Sequence, residues 1–171
     1  MRNVSILSLV SIILFCSCRS DVKANKSIST NKFDNIINQE LLLPPFIPYN
    51  KCYRIVNFID GDCSVCIEKL VIWENLINSY GNLLNSETIL FIVYSSNIPK
   101  FEYYYEKANL TIDYYLDTEN SYCRVNNIDN SELHTMLIDS LNRIKLVGDP
   151  LSNKDLLNNY LEALRNSNYR Q

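Results

Sequence analysis

A chain of 171 residues with 47% hydrophobic side chains is long enough for one domain plus appendages. Its single tryptophan and 12 tyrosines argue against disorder. The formal charge is −3, and no basic run or basic–aromatic patch occurs, so nucleic acid and anionic lipid surfaces are poor partners.

Met1 to Ser17 reads as a leader. Arg2 is its only charge, and Val4 to Phe15 is a short apolar run. A spanning helix needs about 20 residues, so this run suits a secretory signal instead. It ends in Leu14-Phe15-Cys16-Ser17-Cys18. A cysteine after a small residue at such a place resembles the lipobox of bacterial lipoproteins, although Phe15 stands where leucine is usual. The resemblance implies a signal peptide of residues 1–17, an acylated Cys18, and a lipid-anchored protein of the bacterial cell envelope, periplasmic or surface-facing. Loss of Arg2 with the leader takes the formal charge to −4. The plainer alternative is a signal peptide with incidental cysteines.

Arg19 to Asn31 is polar and aperiodic and reads as a tether. Phe33 to Leu43 is expected to form a short helix, with Phe33, Ile36 and Ile37 on one side. Pro44, Pro45 and Pro48 end it. Residues 18–50 are therefore expected to be tether and short helix, and residues 51–171 the domain.

Tyr53 to Ile59 is apolar and β-branched, the signature of a buried strand. Gly61 and Asp62 break it, and Cys63-Ser64-Val65-Cys66 follows. Cys66, Leu70, Trp73, Ile77 and Tyr80 then recur at helical spacing. The two cysteines thus sit where a strand ends and a helix begins. Loose N–H groups and the dipole at a helix start favour thiolate over thiol. Two intervening residues let the pair close a small disulfide ring and reopen it.

Gly81 is the expected C-cap of that helix. Thr88 to Tyr94 reads as a second buried strand, and Pro99 opens a helix running to about Ala108. Ile112 to Leu116 is a short strand, and Asn120 to Asn126 one or two helical turns. Met136 to Asp139 and Arg143 to Val147 form a hairpin closed by Ser140-Leu141-Asn142. Ser152 is expected to cap a last helix, with Asp155 completing a capping box. Leu156, Leu157, Tyr160, Leu161 and Leu164 form its buried face.

A strand, a Cys-x-x-Cys helix, a strand, a helix, a hairpin and a covering helix resemble the thioredoxin superfamily. More narrowly they resemble the membrane-tethered thiol-disulfide oxidoreductases of bacterial envelopes. The matching residues are Cys63-Ser64-Val65-Cys66 and the stretch from Leu133 through Asp139 and Arg143-Ile144 to Val147-Gly148. The resemblance implies an α/β fold with a central mixed sheet flanked by helices. It implies exchange with protein disulfides or thiols, with Cys63 as nucleophile and Cys66 as resolving thiol. Members of that group carry a cis-proline before the hairpin strand. Here Leu133-His134-Thr135 takes that place, which leaves a backbone N–H available there. Asp62 stands where an aromatic residue is common, and its carboxylate opposes a thiolate at Cys63.

Each of these residues has a plainer reading. Cys63–Cys66 is alternatively a structural disulfide in a non-catalytic thioredoxin-like binding module. Cys52 and Cys123 either pair or remain thiols. A zinc site is disfavoured by the spacing 52, 63, 66, 123. His134, the only histidine, is either a satisfied strand residue or an imidazolium that faces the dithiol and, with Thr135 beside it, assists the thiolate. Trp73 and Tyr103-Tyr104-Tyr105 read as packing residues. The chain has only Gly61, Gly81 and Gly148, hence no phosphate loop, and neither cofactor nor metal is expected.

Overall fold

The computed structural model describes residues 33–48 and 52–168. Five strands form one mixed sheet in the order β3-β2-β1-β4-β5. β1 (Arg54–Asp60) lies at its centre, parallel to β2 (Ile89–Tyr94) and antiparallel to β4 (Thr135–Ile138). β3 (Tyr115–Leu116) extends the parallel half, and β5 (Ile144–Val147) returns antiparallel along β4. β1 and β2 are buried on both faces, which suits the apolar run of β2, while β1 buries Arg54 and Asn57 among its apolar residues.

Ile55, Ile59, Phe91, Val93 and Leu137 point to one face of the sheet. There they meet α1 (Ser64–Ser79) and α4 (Lys154–Asn168), with Phe101 of α2 (Ile98–Lys107) beside them. Val56, Phe58, Leu90, Ile92, Met136 and Ile138 point to the other face. That face is covered by Leu41, Ile47 and Ile128 and by Tyr122 and Cys123 of the short helix α3 (Ser121–Val125). Each fully buried aliphatic or aromatic side chain stabilises such a core by about 1.5–3 kcal/mol.

Gly61 turns the chain from β1 toward α1. A Cβ there would lie 2.8 Å from the Ser95 Cβ and 3.1 Å from the Tyr94 carbonyl oxygen, so β1 and the end of β2 approach this closely only over glycine.

Several elements differ from the sequence expectation. Phe33 to Leu43 forms no helix. Residues 33–38 make turns, and Glu40 bridges to Arg143. Asn38 takes a left-handed φ of 67°, and its N–H and the Gln39 C=O bond to Ile144 of β5 instead of continuing a helix. The expected strand Ile112 to Leu116 shortens to two residues. In α1 the buried stripe is Ile67, Leu70 and Trp73, while Tyr80 is exposed and itself forms the C-cap. Gly81 has no positive φ and is not a left-handed cap.

The cap of α4 is Asn153, not Ser152. Asn153 Oδ1 accepts the N–H groups of Asp155 and Leu156, both at 3.0 Å, while Ser152 donates its hydroxyl to the Asp149 carbonyl. The leader, Cys18 and the tether lie outside the described residues. Among those described, no helix is long and apolar enough to cross a membrane.

Candidate active site

β1 ends at Asp60, and the turn Asp60-Gly61-Asp62 delivers Cys63 to the N-cap of α1. The Cys63 sulfur accepts the Cys66 N–H at 3.3 Å, so a thiol does here what a serine or aspartate oxygen does at most helix starts. Cys66 follows one turn in, on the side that packs toward the sheet. Both sulfurs are free thiols and both residues are half-buried.

Their environments differ. Partial burial pushes the Cys66 thiol up to about 12, reinforced by its hydrogen bond to the Cys63 sulfur and by the charges of Cys63 and Asp60; Lys69 partly offsets this. Cys66 therefore stays protonated at neutral pH and donates toward Cys63. Of the two sulfurs, Cys63 is the one at the helix start, where the N–H groups and the dipole act.

Asp62 does not oppose a thiolate at Cys63 freely. Its Oδ2 accepts the Ser96 N–H at 2.9 Å and its Oδ1 the Ser95 hydroxyl at 2.7 Å. The backbone bond from Ser96 and then the Ser95 hydroxyl hold its pKa down to about 2. The carboxylate is ionised but committed to the β2–α2 loop.

A cavity of about 650 Å³ opens over the dithiol. Asn57, Phe58 and Asp60 line it from β1, and Lys69 and Trp73 from α1. His134 and Thr135 supply a further wall, and Gly148 and Asp149 the next. Lys69 Nζ binds Asp149 Oδ2 at 2.5 Å across the opening, linking α1 to the loop before α4.

His134 and Thr135 both line this cavity. Leu133 and His134 belong to a short 3-10 turn, Ser131–Leu133 with His134 as its cap. The His134 N–H is already used by the Ser131 carbonyl at 3.2 Å, and its own carbonyl accepts the Phe58 N–H at 2.7 Å. The ring stands edge-on to Phe58 with centroids 5.0 Å apart. Desolvation lowers the His134 pKa below its ordinary value, with Asp60 and Asp149 acting upward and Lys69 downward. Of the two readings of His134, a ring held by packing fits this lowering better than a charged one.

The sign is fixed by that lowering. Stability contributed by neutral His134 is present above its unfolded pKa of about 6.5 and is lost as pH falls through the lower folded value. His134→Phe is expected to weaken this acid loss of stability while leaving Cys63 alkylation at pH 7–8 largely unchanged. Melting temperature and iodoacetamide labelling across pH 5–8 check both. A collapse of labelling at neutral pH would restore a catalytic imidazole.

Thr135 is buried opposite Asn57 and donates its hydroxyl to Asn57 Oδ1 at 3.3 Å. Its carbonyl accepts the Gly148 N–H, and the buried Tyr160 hydroxyl on α4 bridges the Thr135 and Gly148 carbonyls. Tyr160 thereby ties α4 to both loops that frame the cavity.

No disulfide links Cys52 with Cys123. Cys52 precedes the start of β1, whereas Cys123 feels the charge of Asp60 at its far end. Seven strand residues at about 3.3 Å each separate those ends. Burial pushes the Cys123 thiol up to about 12. Among the described residues no three metal-ligating side chains converge.

Asp60, Lys69, Asp149 and Asn57 were not singled out from sequence, and Tyr160 was read only as part of the buried face of α4. Lys69 stands three residues after Cys66, one helical step along the same side, which is a local signal. Asp149 is 80 residues further on, and nothing local announces the pair.

No family model matches the sequence, and no curated protein matches it. Solved structures do match in fold. A thiol-disulfide oxidoreductase from Bacteroides fragilis superposes with a TM-score of 0.52 at 16% identity, covering 71% of this chain and 88% of that one. A Chlorobium tepidum protein assigned as a thiol:disulfide interchange protein DsbE gives 0.52 at 14%, covering 68% and 82%. A Bacteroides thetaiotaomicron protein assigned as a protein disulfide isomerase gives 0.51 at 13%, covering 70% and 75%. At these identities the likeness is one of fold.

Proposed function

We propose, from the thioredoxin-like α/β fold this chain has and the dithiol it carries, that it is a thiol-disulfide oxidoreductase acting on proteins. In the reducing direction the Cys63 thiolate attacks one sulfur of a partner disulfide. The partner's other sulfur leaves as a thiolate and takes a proton. Cys66 then gives up its proton and attacks the Cys63 sulfur, which releases the partner's second thiol. The partner gains two electrons and two protons, and Cys63–Cys66 becomes the disulfide. The opposite direction runs the same steps backward.

The observation that carries this reading is the asymmetry of the pair. One sulfur caps a helix at the floor of an open cavity, and the other is a protonated donor to it. A structural staple has no need of either property. A redox titration tests the reading. Exchange is expected to show a Cys63–Cys66 potential near the thioredoxin value of about −270 mV or more oxidising, and a potential below about −300 mV would leave only the staple.

The lipobox-like leader supports an envelope location for this chemistry. With Cys18 acylated, the domain is held at a membrane in the bacterial envelope, facing the periplasm or the exterior, where protein disulfides occur. Cys18→Ser is expected to release the protein from membranes or block its processing. Fractionation checks this: correctly cleaved Cys18→Ser protein that stays on the membrane refutes the lipid anchor.

A further inference from the structure

Lys69 and Asp149 meet across the thiol cavity from different parts of the fold. Lys69 lies on α1 three residues after Cys66, a spacing that puts two side chains on one side of a helix with Cβ atoms about 5–6 Å apart. Asp149 stands in the loop between β5 and α4, and that loop fixes it. Its Oδ1 accepts the Leu151 N–H at 3.0 Å, and its carbonyl accepts the Ser152 hydroxyl at 3.0 Å. Its Oδ2 accepts the Lys69 ammonium at 2.5 Å. The Lys69 side chain is 44% exposed and that of Asp149 21%, so the lysine is the looser of the two. An ammonium carries three donors, and this bond uses one.

Cys66 lacks what Lys69 carries. To resolve a mixed disulfide the Cys66 thiol must become a thiolate, and burial, Cys63 and Asp60 all act against that charge. Among these influences on the Cys66 sulfur, Lys69 alone favours the charged form. The other titratable side chains lining the cavity, among the described residues, are Glu132, His134 and Asp149 itself. Cys63 lies six residues before Lys69, outside the three-and-four spacing of helical neighbours, so the same ammonium is placed for the second sulfur and not the first.

We infer that the Lys69–Asp149 pair sets the rate at which Cys66 resolves the mixed disulfide: Lys69 stabilises the Cys66 thiolate, and Asp149 limits this by holding the ammonium toward the opposite wall. This rests on the exchange reading and assigns the control of one of its steps. In that step the Cys66 proton passes to solvent and the thiolate attacks the Cys63 sulfur. The Cys63–Cys66 bond forms, the bond from Cys63 to the partner's sulfur breaks, and that sulfur leaves as a thiolate. Lys69 acts on the sulfur through its charge. Asp149 is a positioning residue that acts through Lys69.

The test uses the reduced full chain and dithiodipyridine, an uncharged disulfide. Acid quenching at intervals, followed by peptide mass spectrometry, measures the Cys63 mixed disulfide and the Cys63–Cys66 disulfide separately. Lys69→Met removes the charge and keeps an unbranched side chain. Asp149→Asn keeps an acceptor for the Leu151 N–H and releases the ammonium. A tenfold change in thiolate fraction is partly cancelled by the nucleophilicity of the sulfur, which leaves a net change of about threefold. Lys69→Met is therefore expected to slow the decay of the mixed disulfide about threefold, and Asp149→Asn to speed it by about as much. Formation of the mixed disulfide is expected to change less in both. If the pair only tied α1 to the loop, both substitutions would break the same bond and move the rate the same way. A change of one sign in both variants, or a wild-type rate in either, overturns the inference. A wild type that never forms the Cys63 mixed disulfide is a different result. It removes the exchange reading, and the role of the pair with it.

Discussion

Cys63→Ser is expected to reduce exchange with a protein disulfide to the background of free thiols, while Cys66→Ser accumulates covalent complexes with partners. The two substitutions differ by one sulfur each, yet the site makes them unequal. Cys63 occupies the helix cap, where its sulfur receives a backbone N–H, and it faces the cavity. Without it no first attack occurs, because Cys66 is held as a thiol with a pKa of about 12. Without Cys66 the first attack proceeds, but nothing resolves the mixed disulfide. Insulin reduction measures the first effect, and non-reducing gels of envelope extracts show the second. The same asymmetry orders alkylation: Cys63 labels first at pH 7–8, and Cys66 gains reactivity only as pH climbs toward its raised pKa. Equal, slow labelling of both thiols, with no trapped partner in Cys66→Ser, would contradict the assignment.

The regular elements of this fold were legible because their burial is periodic. β2 is apolar throughout and β1 apolar but for Arg54, Asn57 and Asp60, α1 repeats at three and four, and Asn120 to Asn126 and the hairpin announce themselves by turn residues. The arm was misread for a physical reason. Phe33, Ile36 and Ile37 have helical spacing and do make one local turn, but the chain after them leaves it, because Asn38 and Gln39 bond to Ile144 of β5, more than a hundred residues away. A local pattern carries no information about so distant a partner. Ser152 was the expected cap, but its hydroxyl is spent on the Asp149 carbonyl and the helix start falls to Asn153.

The site shows the same division. Cys63 and Cys66 were readable from a strand end, a glycine and a helical stripe. The place of His134 in front of the dithiol was readable from its position before β4. Its charge was not, because protonation depends on how far the ring is desolvated, and that is set by Phe58 and the cavity walls together. Asp62 looked like an electrostatic opponent of the thiolate, since sequence shows its neighbour but not the Ser95 and Ser96 donors 33 and 34 residues away.

Trp73→Ala is expected to lower stability by about 3–5 kcal/mol, the largest loss from any single truncation of α1. Trp73 is 1% exposed and meets Phe91 of β2 edge-on at 5.9 Å, which locks the middle of α1 to the sheet. The indole is too large for its neighbours to close over the space it leaves, so the cavity term adds to the lost transfer energy. For a domain of this size the melting temperature should fall by roughly 10 °C or more. Chemistry and stability are expected to separate here. Cys63 is held by its own cap and by the turn from Asp60, seven or more residues before Trp73, so exchange measured well below the melting point should retain most of its rate. Denaturant unfolding, followed by circular dichroism, gives the stability change, and insulin reduction at low temperature gives the rate. A loss below about 1 kcal/mol would mean that α1 is not anchored through Trp73. A rate lost in full while the fold persists would mean that the floor of the cavity, and not the helix start, sets the reactivity of Cys63.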